Sequence, residues 1–118
     1  MDKSLHKLSE TGEASQKSES ELSTENQLFK ITEYLLSLPS KSNANYRLLS
    51  VLTRQTISRL LYLNDLYQKI IEVPGVICEF GVHWGVSTSV LSNLRGIYEP
   101  YNYTRKIIGF DTFNGFET

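Results

Sequence analysis

The chain has 118 residues and a formal net charge of −1, and 21% of its residues are charged. This length is that of one ordinary domain, and the near-zero charge argues against nucleic acid or an acidic membrane as a partner. No apolar run is long enough to span a membrane or to act as a secretory signal, so we expect a cytoplasmic protein with no membrane partner.

The first segment, residues 1–24, is rich in Ser, Glu and Lys and has few large apolar side chains. Such a segment cannot bury enough surface to offset the entropy lost on ordering, so we predict a disordered tail. An arm that binds a partner protein is the alternative interpretation.

Residues 25–73 are predicted to form a helical region. Apolar residues recur at helical spacing from Leu28 to Leu38, with Thr24 as a candidate N-cap and Pro39 just beyond the end. A longer helix is predicted over residues 46–73, with a break at Asn64–Asp65. Its apolar stripe is expected to cover a sheet; the alternative is a dimer interface or a lid, so a homo-oligomer stays open. The stripe comprises Leu49, Leu52, Ile57, Leu60, Leu63, Tyr67, Ile70 and Ile71.

Residues 74–118 are predicted to form a βαβ unit. The run Val76–Phe80 shows no alternation, which is typical of a parallel strand buried on both faces, and its Cys78 is expected to be a buried, inert thiol. A turn with two glycines and an amphipathic helix follow, and Ile107–Phe110 is the second strand. The fold class is therefore predicted to be α/β, with N-terminal helices followed by a βαβ unit.

An acid stands at the C-terminal end of each predicted strand: Glu79 and Asp111. The turn after the first strand reads G-x-x-x-G, from Gly81 to Gly85, and bulky side chains fill its middle. A dinucleotide's pyrophosphate needs an unobstructed backbone, so this turn better suits an amino-acid-bearing nucleoside. Glu79 could meet its ammonium, amides near Ser87 its carboxylate, and Asp111 its ribose diol.

The motifs E-F-G-V-H-W-G-V-S and G-F-D-T-F-N-G-F together resemble class I S-adenosylmethionine-dependent methyltransferases, and more narrowly the macrocin O-methyltransferase family. The resemblance covers about residues 46–118. It implies an O-methyltransferase with a Rossmann-like sheet, S-adenosylmethionine as cofactor, and a small-molecule acceptor such as a sugar hydroxyl. By the same resemblance Glu79, Gly81, Gly85 and Ser87 line the methionine end, Asp111 holds the ribose, and Thr112 borders the adenosine.

The family's fold needs about six or seven strands, and only two are predicted here. We therefore expect the N-terminal part of a longer, truncated enzyme that is inactive alone. The family's divalent metal, such as Mg²⁺, is bound by later carboxylates, so neither metal ligands nor catalytic residues can be assigned in this chain. The alternatives are a non-catalytic interaction module and, less in keeping with the turn, an NAD(P) oxidoreductase.

Each site residue also has a structural interpretation. Glu79 could pair with an arginine, the two glycines could serve helix–strand packing, and Asp111 could cap the turn at Asn114–Gly115. His83 is expected to border the cofactor or to serve structure rather than to act as a base. The tyrosines of the predicted loop at residues 96–105 could form an aromatic wall for a ligand, or pack locally.

Overall fold

The computed structural model describes residues 18–40 and 43–115. Contacts divide the chain into two units, one ending at Leu52 and the other beginning at Thr53. Most of the predicted disordered tail, residues 1–17, lies outside the described residues. Within the described part of the chain, no helix combines the length and apolar character needed to cross a bilayer.

The first unit begins with helix α1 (Glu19–Ser37). Ser18 is its N-cap: the Ser18 hydroxyl accepts the Glu21 amide, and the Glu21 carboxylate accepts the Ser18 amide at 2.7 Å. This reciprocal capping box satisfies two amides that the first turn would leave unpaired. The predicted tail boundary at residue 24 and the predicted N-cap at Thr24 are therefore wrong, because the helix begins at Glu19. The end of the helix before Pro39 is confirmed.

The predicted helix over residues 46–73 is three elements. Helix α2 (Ala44–Arg47) continues into a 3₁₀ turn (Leu48–Val51) within the first unit, and helix α3 (Arg54–Ile70) opens the second unit. The break lies at Leu52 and Thr53, which have extended backbone, and the Thr53 hydroxyl accepts the Thr56 amide. The predicted break at residues 64–65 is wrong: both lie inside α3.

The second unit contains the βαβ unit: strand β1 (Ile77–Phe80), helix α4 (Val86–Tyr98) and strand β2 (Ile107–Phe110). The strands are parallel and in register, with Glu79 opposite Gly109 and Phe80 opposite Phe110. The predicted α/β fold, helices followed by a Rossmann-like βαβ unit, is confirmed.

The prediction that β1 is buried on both faces is wrong, because burial alternates along it. Ile77 and Glu79 are half-buried, whereas Cys78 and Phe80 are exposed. On the exposed face Phe80 stacks on Phe110, with ring centroids 5.0 Å apart. A parallel strand is buried on both faces only when helices cover both, and in the described chain α4 contacts the sheet from one side.

The best-buried part of the second unit is a polar cluster around Tyr67, which is fully buried. The Tyr67 hydroxyl donates to Glu99 at 2.6 Å, and the Arg105 guanidinium donates to the same carboxylate at 2.9 Å. The hydrogen bonds from Arg105 and then Tyr67 lower the pKa of Glu99 to about 2. Burial, and then the bond to Glu99, raises the pKa of Tyr67 to about 12. The cluster is thus an ionised pair with a neutral phenol.

Arg105 also joins the elements that meet at the N-terminal edge of the sheet. Its guanidinium donates to the Ile70 carbonyl at 2.8 Å and to the Gly75 carbonyl at 3.0 Å. It therefore satisfies a carbonyl at the end of α3, where cations are favourable, and holds the segment leading into β1. The pair of Glu99 and Arg105 links α3, β1 and the connection from α4 to β2.

The predicted loop at residues 96–105 is shorter than expected, because α4 continues to Tyr98. The Tyr98 ring stacks on Tyr67, with centroids 5.9 Å apart. Tyr101 and Tyr103 are exposed in the connection that leads into β2. That connection meets the N-terminal edge of the sheet, opposite the strand ends that carry the acids. Tyr98 therefore packs locally, as one interpretation of the loop predicted, and Tyr101 and Tyr103 lie away from the acids.

Candidate functional site

The turn between β1 and α4 is built from residues with left-handed backbone. Gly81 has φ +81°, His83 has φ +52° and Gly85 has φ +78°. Gly81 donates its amide to the Phe110 carbonyl at 2.8 Å, and Gly85 donates to the Val82 carbonyl at 2.9 Å. Both glycines are needed where a side chain would be strained. A Cβ added at Gly81 would meet no atom within 4 Å, so its backbone faces open space.

Asp111 follows β2 and ties its end to this turn. One carboxylate oxygen accepts the backbone amide of His83 at 2.8 Å, and the other accepts that of Phe113 at 3.0 Å. These bonds, His83 first, lower the pKa of Asp111 below its ordinary value of 3.8. Asp111 therefore does cap the local turn, as one interpretation predicted, and it also contacts the opposite loop. The backbone amide and the hydroxyl of Thr112 are further, weaker donors that lower the pKa of this carboxyl.

Glu79 lies near the end of β1 on the face that α4 covers. The Thr88 hydroxyl, in the first turn of α4, donates to Glu79 Oε2. No basic side chain of residues 18–40 or 43–115 forms an ion pair with Glu79, so pairing with an arginine is not what positions it. In the same ranges Glu79 Oε1 has no hydrogen-bond partner. This carboxylate is held through one oxygen only.

Helix α4 begins directly after Gly85, its N-cap, which offers no side-chain acceptor to the first turn. Of the first-turn groups, the Ser89 amide donates to the Gly85 carbonyl at 2.8 Å. The amides of Val86, Ser87 and Thr88 have no acceptor among the described residues. Unpaired amides and the positive end of the helix dipole favour an anion here.

Close packing brings the helix and the second strand together at Gly109. A Cβ added there would lie 2.6 Å from Val82 Cγ2 and 3.8 Å from the Thr88 hydroxyl oxygen. The Val82 side chain therefore covers Gly109, and only glycine leaves room for it. This contact fixes the turn and the start of α4 against the sheet.

Two exposed aromatic side chains flank Asp111. Trp84 is 77% exposed and meets the His83 ring edge-on at 5.1 Å, and Phe113 is 73% exposed. Asp111 accepts the backbone amide of His83, which precedes Trp84, and the backbone amide of Phe113 itself. The edge of the sheet therefore combines two carboxylates, unpaired helix amides and free aromatic surface.

Similar solved structures exist for this arrangement. A crystal structure of the calicheamicin methyltransferase CalS11 matches with a TM-score of 0.75 and 39% identity over 87% of this chain. The apo structure of CalS11, described as a TDP-rhamnose 3′-O-methyltransferase of calicheamicin biosynthesis, matches with a TM-score of 0.74 and 39% identity over 85%. This chain is related to a methyltransferase. No family model and no curated protein matches it.

The methyltransferase relationship concerns part of the relatives' length. The chain spans 39% and 43% of the two solved chains. Among the described residues, no group of three or more His, Cys, Asp or Glu side chains is arranged to hold a metal ion.

In this chain, the six residues predicted to form the site lie around one edge of the sheet. Glu79 lies one residue before the end of β1, and Asp111 directly follows β2. Gly81 and Gly85 bound the turn, and Ser87 is half-buried in the first turn of α4. Thr112 is exposed just beyond Asp111.

Sequence reasoning assigned no role to Thr88, to Val82 or to the His83 amide. The contact of Thr88 with Glu79 had a signal in the sequence: Thr88 follows Glu79 by nine residues, and the short turn between them brings the start of the helix back to the strand. No sequence signal marks the other two.

Proposed function

We propose that this chain carries the S-adenosylmethionine-binding part of an O-methyltransferase that acts on a sugar or another small-molecule hydroxyl. The observation that carries the proposal is the pair of carboxylates, Glu79 and Asp111, at the ends of adjacent parallel strands beside an uncapped helix. The sugar O-methyltransferase described for the related structures supports the substrate class. The two sequence motifs support the narrower likeness to macrocin O-methyltransferases.

The methionine end of the cofactor carries an ammonium and a carboxylate, and the chain offers a matching group for each. Among residues 18–40 and 43–115, nothing donates to Glu79 Oε1, which can accept from the ammonium, and nothing accepts the amides of Val86 and Ser87, which can donate to the carboxylate. The open space at Gly81 lets the ligand approach the backbone. The protein thus offers an anion to the ligand's ammonium and unpaired amide donors to the ligand's carboxylate.

The nucleoside end requires an acceptor for two ribose hydroxyls. Asp111 is ionised at neutral pH, and its carboxylate, which already accepts the amides of His83 and Phe113, is the kind of acceptor that ribose hydroxyls require. Thr112 and Phe113 follow it directly and would border the adenosine. Ligands of open α/β sheets lie at this edge, outside the carboxyl ends of the strands.

When bound, the cofactor supplies a methyl group on a sulfonium, an electrophile that needs no activation by the protein. The residues described here bind and orient; removal of the acceptor's proton needs a base, and none of them is assigned that role. Because the chain spans 39% and 43% of the two related structures, we propose that the 118 residues bind the cofactor without transferring methyl groups. Methyl transfer by the purified chain would contradict this.

Calorimetric titration with S-adenosylhomocysteine tests the proposal, with NAD as the comparison ligand. We expect saturable binding of S-adenosylhomocysteine and none of NAD. Binding of NAD instead would support a nucleotide-dependent oxidoreductase. Binding of neither ligand would contradict the proposal and favour a non-catalytic interaction module.

A further inference from the structure

The Thr88 hydroxyl bonds across elements instead of to a carbonyl of its own helix. Thr24 and Thr32 in α1 donate to the carbonyls four residues earlier, at 2.9 Å each, as helical threonines commonly do. Thr88 instead donates to the Glu79 carboxylate on β1. This bond joins the strand that bears the acid to the helix whose N-terminus opens at the same edge.

We propose that Thr88 is a positioning residue for Glu79. It holds Oε2 of the carboxylate so that Oε1 is presented to the ammonium of an amino-acid-bearing nucleoside. This inference rests on the proposed function and deepens it, because it states how the methionine end is recognised.

The surroundings give Thr88 a defined direction. Its side chain is half-buried, and its hydroxyl oxygen would lie 3.8 Å from a Cβ on Gly109, the register partner of Glu79. Val82 fills the adjacent space above Gly109. A β-branched side chain has few rotamers, so packing of this kind sets where its hydroxyl points. The carboxylate is thereby oriented by a group that is itself fixed.

Loss of the Thr88 hydroxyl should weaken binding of the ligand's amino-acid end and leave binding of its nucleoside end unchanged. Without the donor, Glu79 Oε2 has no hydrogen-bond partner among the described residues, and the side chain is free to turn toward water. An ammonium bound by a charge-assisted hydrogen bond is sensitive to that direction. The ribose and adenine bind at the other strand and should be unaffected.

The test compares two ligands on four proteins by calorimetry: the wild type, two Thr88 variants and one control variant. S-Adenosylhomocysteine carries the amino acid, and 5′-methylthioadenosine lacks it. We expect Thr88→Val to weaken S-adenosylhomocysteine about tenfold and to leave 5′-methylthioadenosine within about twofold of the wild type. Thr88→Ser, which keeps the hydroxyl, should retain most of the affinity. Thr32→Val is the matched control, since Thr32 is also half-buried but bonds within its own helix.

Unchanged affinity of Thr88→Val for S-adenosylhomocysteine would overturn the inference. Equal weakening of both ligands would overturn it too, because it would indicate a general structural role. Failure of the wild type to bind S-adenosylhomocysteine would instead defeat the proposed function itself. If the valine variant does not fold, Thr88→Ala repeats the comparison without placing a methyl against the carboxylate.

Discussion

His83 donates its backbone amide to the carboxylate of Asp111 at 2.8 Å, so the loop after the first strand is tied to the end of the second. His83 has left-handed backbone, φ +52°, which a non-glycine residue adopts at a cost. The bond to Asp111 offsets part of that cost and orders the loop beside the proposed ribose site. Asp111 thus serves the turn and the ligand edge together.

The first prediction concerns the titration of Asp111. The amides of His83 and then Phe113 stabilise its ionised form, so its pKa is lowered below 3.8. The stability it contributes is present above 3.8 and is lost as the pH falls through the lower folded-state pKa. A carboxyl-carbon NMR titration should give a midpoint below 3.8. A midpoint at or above that value would show that the two amides do not bind the carboxylate.

The second prediction concerns the close contact at Gly109. A Cβ there would lie 2.6 Å from Val82 Cγ2, so Gly109→Ala should cost about 1–3 kcal/mol of unfolding free energy. Gly96→Ala in α4 meets no atom within 4 Å and should stabilise by about 0.4–1 kcal/mol. Urea denaturation measures both variants.

The contact also predicts a rescue. Adding Val82→Ala to Gly109→Ala removes the clashing methyl, so the double variant should recover part of the loss caused by Gly109→Ala. Strictly additive losses would show that Val82 is not what excludes a side chain at Gly109.

The third prediction concerns the buried pair of Glu99 and Arg105, whose side chains are 6% and 3% exposed. Glu99→Ala should cost about 3–5 kcal/mol, because it leaves a buried guanidinium without its carboxylate. Replacing both, as Glu99→Leu with Arg105→Met, should cost less than the two single changes together. A double-mutant cycle in urea measures the coupling, and zero coupling would contradict the pair's role.

The same pair predicts an acid-sensitive stability. The pKa of Glu99 is lowered from 4.5 to about 2, so its contribution is fully present above 4.5 and is lost as the pH falls through about 2. The double variant with Glu99→Leu and Arg105→Met lacks the Glu99 carboxylate. Its unfolding free energy should therefore fall less than that of the wild type between pH 4.5 and about 2. Parallel acid dependence in the two proteins would argue that other carboxylates dominate.

The fourth prediction separates the two edges of the sheet. Tyr101 and Tyr103 are 83% and 78% exposed in the connection that leads into β2, away from Asp111. Tyr101→Ser with Tyr103→Ser should therefore leave the affinity for S-adenosylhomocysteine within about twofold of the wild type, a change below the ~0.5 kcal/mol of a neutral surface site. A tenfold loss of affinity, measured by calorimetry, would contradict this and show that these tyrosines contribute to the ligand site.

The order of strand, turn, helix and strand could be predicted from the sequence because local signals agree there. Apolar runs end at Glu79 and Asp111, and the glycines at 81 and 85 mark a turn that few other residues could form. The residues flanking that turn therefore fell at one edge of the sheet. Parallel strands joined by one helix allow little else.

What could not be predicted depends on partners that are remote in the chain or on what covers a surface. Ser18 and Glu21 extend α1 through a capping box inside a segment whose composition is typical of disorder. The exposure of Cys78 could not be predicted, because a run of apolar residues does not indicate which faces of the strand are covered. The buried pair of Glu99 and Arg105 is not evident either, since loop charges are usually solvated.

Comparing S-adenosylhomocysteine with 5′-methylthioadenosine on Glu79→Gln and Asp111→Asn tests the central claim most directly. If the two carboxylates hold opposite ends of one nucleoside, Glu79→Gln should weaken only S-adenosylhomocysteine, by about tenfold, and Asp111→Asn should weaken both ligands. Wild-type affinity in both variants, or equal weakening of both ligands by Glu79→Gln, would contradict the claim.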